Sequence, residues 1–198
     1  MDTTTKSGSE LLLESAQRLF LSQGYANVSM QAIAADAGMT KGAPYYHFES
    51  KEELFYQVSL RIFERLRNEL IASLDADGPL EERVARALED LIANMSSDFS
   101  SWVNDLKRAL QPERKQCLVD TIGGGGDMAS LVQPSFERAA ERGELTRVPP
   151  DVAARVFFRL AMACIDEASY LQVAGLYTRE WQERTAAETA TVFMSGVA

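Results

Sequence analysis

Residues 24–55 read GYANVSMQAIAADAGMTKGAPYYHFESKEELF, and this stretch decides the fold. Ser29 caps a short helix that carries Ile33, Ala34 and Ala37 and ends at Gly38; Thr40 caps a second that runs through His47. Only a tight turn lies between them. Gly38 supplies the positive φ such a turn needs, small Ala34 lets the helices approach, and Met39 plugs the gap. Two short helices joined in this way make a helix-turn-helix, whose second helix enters a DNA major groove N-terminus first. The leading residues of that helix suit the role. Gly42 and Ala43 have almost no side chain, so the backbone can approach base edges, and the Ala43 methyl can touch a thymine methyl. Lys41 can reach a guanine edge or a phosphate, and Tyr45, Tyr46 and His47 form a polar-aromatic rim for phosphate oxygens. Ser50 and Glu53 make a capping box for the next helix, and Lys51 stands in its first turn, where free N–H groups also attract phosphate.

Outward from this stretch, helical periodicity dominates and strand signals are almost absent. Leu12, Ala16, Leu19 and Phe20 share one helix face, with Ser7 and Glu10 as its capping box and Gly24 at its C-cap, where Tyr25 can fold back on the last turn. A long helix starts at Lys51 and runs to about Leu74, with Leu54, Val58, Ile62, Leu66 and Leu70 repeating every fourth residue. Further helices are predicted at about 80–96, 98–110, 112–122 and 127–142, then from Pro149-Pro150-Asp151 to about Val173, and after a Thr178 cap. The prediction is therefore all-α with nine or ten helices: an N-terminal three-helix helix-turn-helix domain over 1–50 and a larger helical bundle over 51–198.

The string from Gly24 to Phe55 resembles the DNA-binding domain of TetR-type (tetracycline-repressor-like) transcriptional regulators, and the match runs almost without gaps from about Leu12. It combines the glycine-aromatic pair, the Ile-Ala…Ala-Gly turn, the Lys-Gly start, the Tyr-Tyr-His-Phe end and the Ser-Lys-Glu-Glu-Leu cap; in this order and spacing they are highly specific. The resemblance implies an all-helical homodimer that binds an inverted-repeat operator, dimerises through its last two long helices and encloses a small-molecule pocket. By position, Ser29, Thr40, Lys41, Gly42, Ala43, Tyr45, Tyr46, His47 and Lys51 match the family's usual DNA-contacting places. The C-terminal part matches in helix layout and in Arg142-Gly-Glu-Leu145. Pro44 departs from the family, which more often has an aliphatic there. As the fourth residue of a helix capped by Thr40 it cannot donate the first i→i−4 bond and biases Ala43 away from α, so an irregular first turn is expected.

Composition narrows the alternatives. The chain of 198 residues has 20 Lys and Arg against 29 Asp and Glu, a net charge of −9, which excludes a generally cationic nucleic-acid coat. Within residues 1–55, Lys6, Arg18, Lys41 and Lys51 face Asp2, Glu10, Glu14, Asp36, Glu49, Glu52 and Glu53. Affinity for DNA must then come from a small local face, and operator binding should show a shallow salt dependence. His47 is the single histidine, which excludes multi-histidine metal sites and leaves a phosphate contact as its favoured role over catalysis. No cofactor is expected. Cys117 and Cys164 read as reduced, buried residues. The glycine run 123–126 is followed by Asp127 and Met128 where a phosphate loop needs Lys and Ser or Thr, so it reads as a flexible connection. No leader or membrane span is apparent, and a cytoplasmic protein without membrane partners is expected.

Candidates for an effector pocket are Phe63, Met95, Phe99, Trp102, Leu106, Phe136, Phe158 and Met162. Met and aromatic side chains suit an adaptable apolar cavity, although at helical spacing such residues are more often plain core. The segment 151–173 is apolar on too many sides for a helix buried once, as expected when one face meets the core and another a second subunit. The expectation is a non-enzymatic, ligand-responsive repressor that binds operator DNA as a dimer, its recognition helices roughly 34–36 Å apart, and is released by a largely apolar small molecule. The alternative is a DNA-binding regulator controlled by a protein partner.

Overall fold

The computed structural model describes residues 6–94, 97–123 and 128–198, and of 97–100 and 121–123 the backbone alone. The described residues form ten α-helices and no strand: α1 (Gly8–Gln23), α2 (Met30–Asp36), α3 (Ala43–His47), α4 (Lys51–Asp75), α5 (Leu80–Asn94), α6 (Ser97–Ala109), α7 (Pro112–Gly123), α8 (Gln133–Glu141), α9 (Pro150–Val173) and α10 (Arg179–Val197). Two short 3-10 turns, Tyr25–Asn27 and Met128–Leu131, complete them. Local chemistry sets most boundaries. Ser7 and Glu10 form the reciprocal capping box of α1, and the Thr178 hydroxyl accepts the Trp181 N–H at 3.1 Å to start α10. One expected helix is split. In place of a continuous helix over 127–142 there is a 3-10 turn and then α8, because Pro134 brings no N–H and so fits the first turn of a helix, where it stands second, but not a helix interior.

The helices make two compact units, Met1–Ile62 with Asp98–Leu118, and Phe63–Ser97 with Val119–Ala198. The expected boundary after residue 50 thus falls inside the first unit, which takes in the first half of α4 and most of α6 and α7. Its core joins Leu12, Ala16 and Phe20 of α1, Ile33 and Ala34 of α2, and Leu54, Phe55 and Val58 of α4. Phe55 is the centre of an aromatic group: its ring lies 5.1 Å from Phe20, 4.6 Å from Tyr25 and 4.5 Å from Trp102. Burial of each such ring stabilises the unit by about 1.5–3 kcal/mol.

The second unit packs α5, α8, α9 and α10 around Phe136, Phe157 and Phe193. The Arg142-Gly-Glu-Leu145 motif earns its residues here. Gly143 turns the chain at φ +75°, Leu145 enters the core, and Glu144 accepts hydrogen bonds from Arg142 at 3.0 Å and from fully buried Arg83 at 2.5 Å. Arg83 also donates to the Leu74 carbonyl at 2.8 Å. Cys164 is buried as expected, but Cys117 is exposed, and its sulfur accepts a hydrogen bond from the Tyr56 hydroxyl of α4 at 3.1 Å. Among the described residues no helix is long and apolar enough to cross a membrane.

Candidate nucleic-acid interface

The helix-turn-helix is built as its sequence requires. The Ser29 hydroxyl accepts the Ala32 N–H at 3.1 Å and starts α2. At the other end Gly38 takes φ +68°, and the Met39 N–H reaches back to the Ala34 carbonyl at 2.8 Å, closing α2 and turning the chain. Arg18 of α1 holds the end of α2 through Asp36 at 2.7 Å, which keeps that carboxyl below its ordinary pKa.

The second helix starts later than its sequence suggests. Gly42, not Thr40, precedes the first helical residue, and Pro44 is the second residue of α3 rather than the fourth. At that position its missing N–H costs no intrahelical bond. Thr40 and Gly42 offer their carbonyls to the N–H groups of Ala43 and Tyr45, three residues on, at 3.0 and 3.2 Å. The first turn is irregular, as Pro44 implied, and α3 proper is only five residues long.

This geometry sorts the side chains cleanly. Pro44 and Phe48, four residues apart, are buried, while Thr40, Lys41, Gly42, Tyr45, Tyr46 and His47 are exposed and Ala43 is half-buried. Neither tyrosine is core: Tyr45 is 60% and Tyr46 86% exposed, an unusual amount of aromatic surface for two adjacent residues. Tyr46 stacks edge-on with His47 at 5.2 Å. His47 also lies against the start of α1, where a Cβ added to Gly8 would stand 3.1 Å from its Nε2. Gly42 has φ −86° and, among the described residues, no atom within 4 Å of where a Cβ would be, so none of them calls for a glycine there.

Lys51 is placed differently from the rest. It is half-buried, and its ammonium donates to the carbonyls of Tyr25 at 2.6 Å and Val28 at 2.7 Å while lying 4.2 Å from the centre of the Tyr25 ring. Burial lowers its pKa from the ordinary lysine value, and the charge of Asp105 on α6 opposes that shift. Two of its three N–H groups are therefore committed inside the protein. Asp105 had no sequence signal; its Oδ2 accepts the Tyr25 backbone N–H at 2.7 Å, a tie across 80 positions.

The effector candidates do not converge. Trp102 and Leu106 are buried in the first unit and Phe136 in the centre of the second, all as packed core. Phe63 is half-buried on α4. Met95 and the side chain of Phe99 lie outside the described residues, as do Gly124–Gly126 and Asp127. Among the described candidates only Phe158 and Met162 come together, at an open hollow of about 510 Å³ beside Met128, Arg155, Arg159 and Asp166. Among the described residues no cluster of His, Cys, Asp and Glu could hold a metal ion.

Residues 12–58 match the family model of bacterial regulatory proteins of the tetR family. The HTH-type transcriptional repressor DhaR of Mycobacterium sp. (strain GP1) is 34% identical over 159 residues, which cover 69% of this chain and 80% of DhaR. The chain spans only 41%, 57% and 22% of the length of three further curated relatives, all HTH-type transcriptional regulators or repressors. Among solved structures, a TetR-family transcriptional regulator from Mesorhizobium loti MAFF303099 is similar with a TM-score of 0.79 at 23% identity, covering 100% of both chains. AibR, solved in complex with isovaleryl coenzyme A and operator DNA, is similar with a TM-score of 0.61 at 20% identity, covering 94% of this chain and 97% of AibR. At such identities these two likenesses are of fold.

Proposed function

This chain belongs to the tetR family of bacterial regulatory proteins, DNA-binding transcriptional regulators rather than enzymes, and from that premise we propose a ligand-responsive repressor. It binds an inverted-repeat operator in the cytoplasm as a homodimer and is released by a small molecule. Residues 1–50 read the DNA, and residues 51–198 bind the effector and dimerise. The observation that carries this reading is the exposed face Thr40–Gly42, Tyr45, Tyr46, His47, which leaves two tyrosines largely in solvent and displays donors, aromatic rims and one lysine. Ser29 and Ala43 complete it. Exposed Tyr170 and Val173 on α9 and Val192 on α10 support a dimer through those helices. The ligand arm is supported by AibR, whose fold holds both an acyl-coenzyme A and operator DNA. In this chain the effector is a largely apolar molecule that rests on Phe158 and Met162, with Arg155, Arg159 and Asp166 as its polar partners. A ligand can release DNA only by its differential affinity for the bound and released states.

The test is a mobility shift with a duplex selected by the wild-type chain from a random-sequence library. Replacing Tyr45 and Tyr46 together with Ala should weaken binding by at least tenfold and leave the elution volume of the dimer unchanged. Wild-type affinity in that variant would remove this face from the interface. A small-molecule library that shifts no thermal midpoint, followed by capture of a protein that releases the duplex, would replace the effector by a partner protein.

A further inference from the structure

Lys51 and Asp105 both bond the segment that leads into α2. The segment starts at Gly24, whose φ of +78° lets the chain leave α1 sharply and favours a glycine there. Asp105 takes the next N–H, that of Tyr25, at 2.7 Å. The Lys51 ammonium lies over the Tyr25 ring and donates to the carbonyls of Tyr25 and Val28 at 2.6 and 2.7 Å. The next residue after Val28 is Ser29, the cap of α2. Nearby, the start of α7 is tied to α4 as well: the Gln111 N–H donates to Glu52 at 2.9 Å, and Arg114 lies 3.9 and 3.8 Å from Glu52 and Glu53. The stretch Asp98–Leu118 is thus bonded into the first unit, although in sequence it is flanked on both sides by residues of the second.

We propose that Lys51 and Asp105 are positioning residues for operator binding: together they clamp residues 24–28 and so set where α2 and α3 present the DNA-reading face. The inference rests on the reading of that face as an operator-binding surface. It assigns Lys51 an internal role in place of a phosphate contact, and it brings α6, through Asp105, into the DNA-binding machinery. Electrostatics and positioning make opposite demands on Asp105. Removing a carboxylate from a DNA-binding unit should by charge alone tighten binding; removing a clamp should loosen it.

Three variants of the full chain separate these roles, titrated against the duplex selected by the wild type. Asp105→Ala should bind about tenfold more weakly despite the lost negative charge, and Asp105→Asn, which keeps an acceptor for the Tyr25 N–H, should stay within about threefold of the wild type. Lys51→Gln should also weaken binding about tenfold but leave the slope of log K against log salt unchanged; a direct phosphate contact in each subunit would lower that slope by about 1.8, at about 0.9 per contact. Hydrogen exchange in the free protein should speed up at the Tyr25 amide in Asp105→Ala, which reads the clamp without DNA. Wild-type or tighter binding by Asp105→Ala, or a slope reduced by about 1.8 in Lys51→Gln, overturns the proposal while the operator reading stands. If Asp105→Ala does not fold, the Lys51→Gln slope decides. Failure of the wild type to select any duplex overturns the operator reading itself.

Discussion

Gly42 and Arg83 are opposite kinds of residue, one idle within the chain and one indispensable to it. At Gly42 the backbone angles are open to any L-residue and the space for a side chain is empty. Gly42→Ala should therefore leave the thermal midpoint unchanged or raise stability by about 0.4–1 kcal/mol, through a less free unfolded chain. Operator affinity should fall, since the added methyl stands where the backbone approaches base edges; a variant that binds as well as the wild type removes the close approach at this position. Arg83 is fully buried, with Glu144 and the Leu74 carbonyl as partners. Arg83→Ala should cost about 3 kcal/mol in a denaturant melt, the lower end for a broken buried pair because Glu144 keeps some solvent. Burial pushes the Glu144 carboxyl up, but hydrogen bonds and charge from Arg83 and Arg142 outweigh it and hold the pKa below the ordinary value. A depressed carboxylate stabilises the fold above its unfolded pKa, about 4.3, and loses that contribution as pH falls through the folded value. The wild type should thus lose stability below about pH 4.3 more steeply than Arg83→Ala, whose Glu144 lacks the buried partner.

At the scale of elements, a turn of a few residues decides what α3 can show. Gly38 and the Met39 N–H stop α2, Pro44 and Phe48 seat α3 through one side, and the remaining side is free by elimination. Because α2 is only seven residues long, its cap matters more than a cap on α4 or α9 would. Ser29→Ala should lower stability by about 1 kcal/mol, seen as a lower melting midpoint and as faster amide exchange at Ala32. An unchanged midpoint would mean that packing of Ile33 and Ala34 alone holds α2. The delayed start of α3 follows from the same local economy of donors. A proline is harmless where an N–H has no helical partner and costly a turn later, so the helix begins at the point where Pro44 does no damage.

For the whole molecule, charge and interface geometry are the quantities that matter. The chain carries a net charge of −9 and yet has the DNA-binding fold of its family. Of the four cations within residues 1–55, three have partners in the chain: Lys6 pairs with Glu14, Arg18 with Asp36, and Lys51 with two carbonyls. Lys41 is left as the exposed lysine of the reading face. Operator binding should accordingly release few counterions, with a slope of log K against log salt of magnitude below about 5 for the dimer. Fluorescence anisotropy between 50 and 200 mM salt would measure it, over roughly the range where strongly basic binders lose most affinity. A slope near −10 would mean that cations outside this face carry the contact.

How much of this was legible in the sequence depends on the range of the interaction involved. Caps, turn glycines and helix periodicity act over three or four residues, so the capping box at Ser7, the turn at Gly38 and the run Leu54–Leu70 could be read directly, and with them the fold and the family. The irregular start of α3 was legible for the same reason, but that Pro44 is buried with Phe48 while Lys41, Tyr45 and Tyr46 are exposed came only from the structure. Long-range pairing was not legible. Nothing near Lys51 says that its ammonium faces the carbonyls of Tyr25 and Val28, and nothing near Asp105 says that its carboxylate caps an N–H 80 residues away. Trp102 likewise looks the same in sequence whether it lines a pocket or packs on Phe55. The sequence alone determined most of the helices, the fold class and the family, because those depend on neighbours along the chain. Only the tertiary structure decided which charges are free to meet DNA, because a charge is used up by whatever the fold brings beside it.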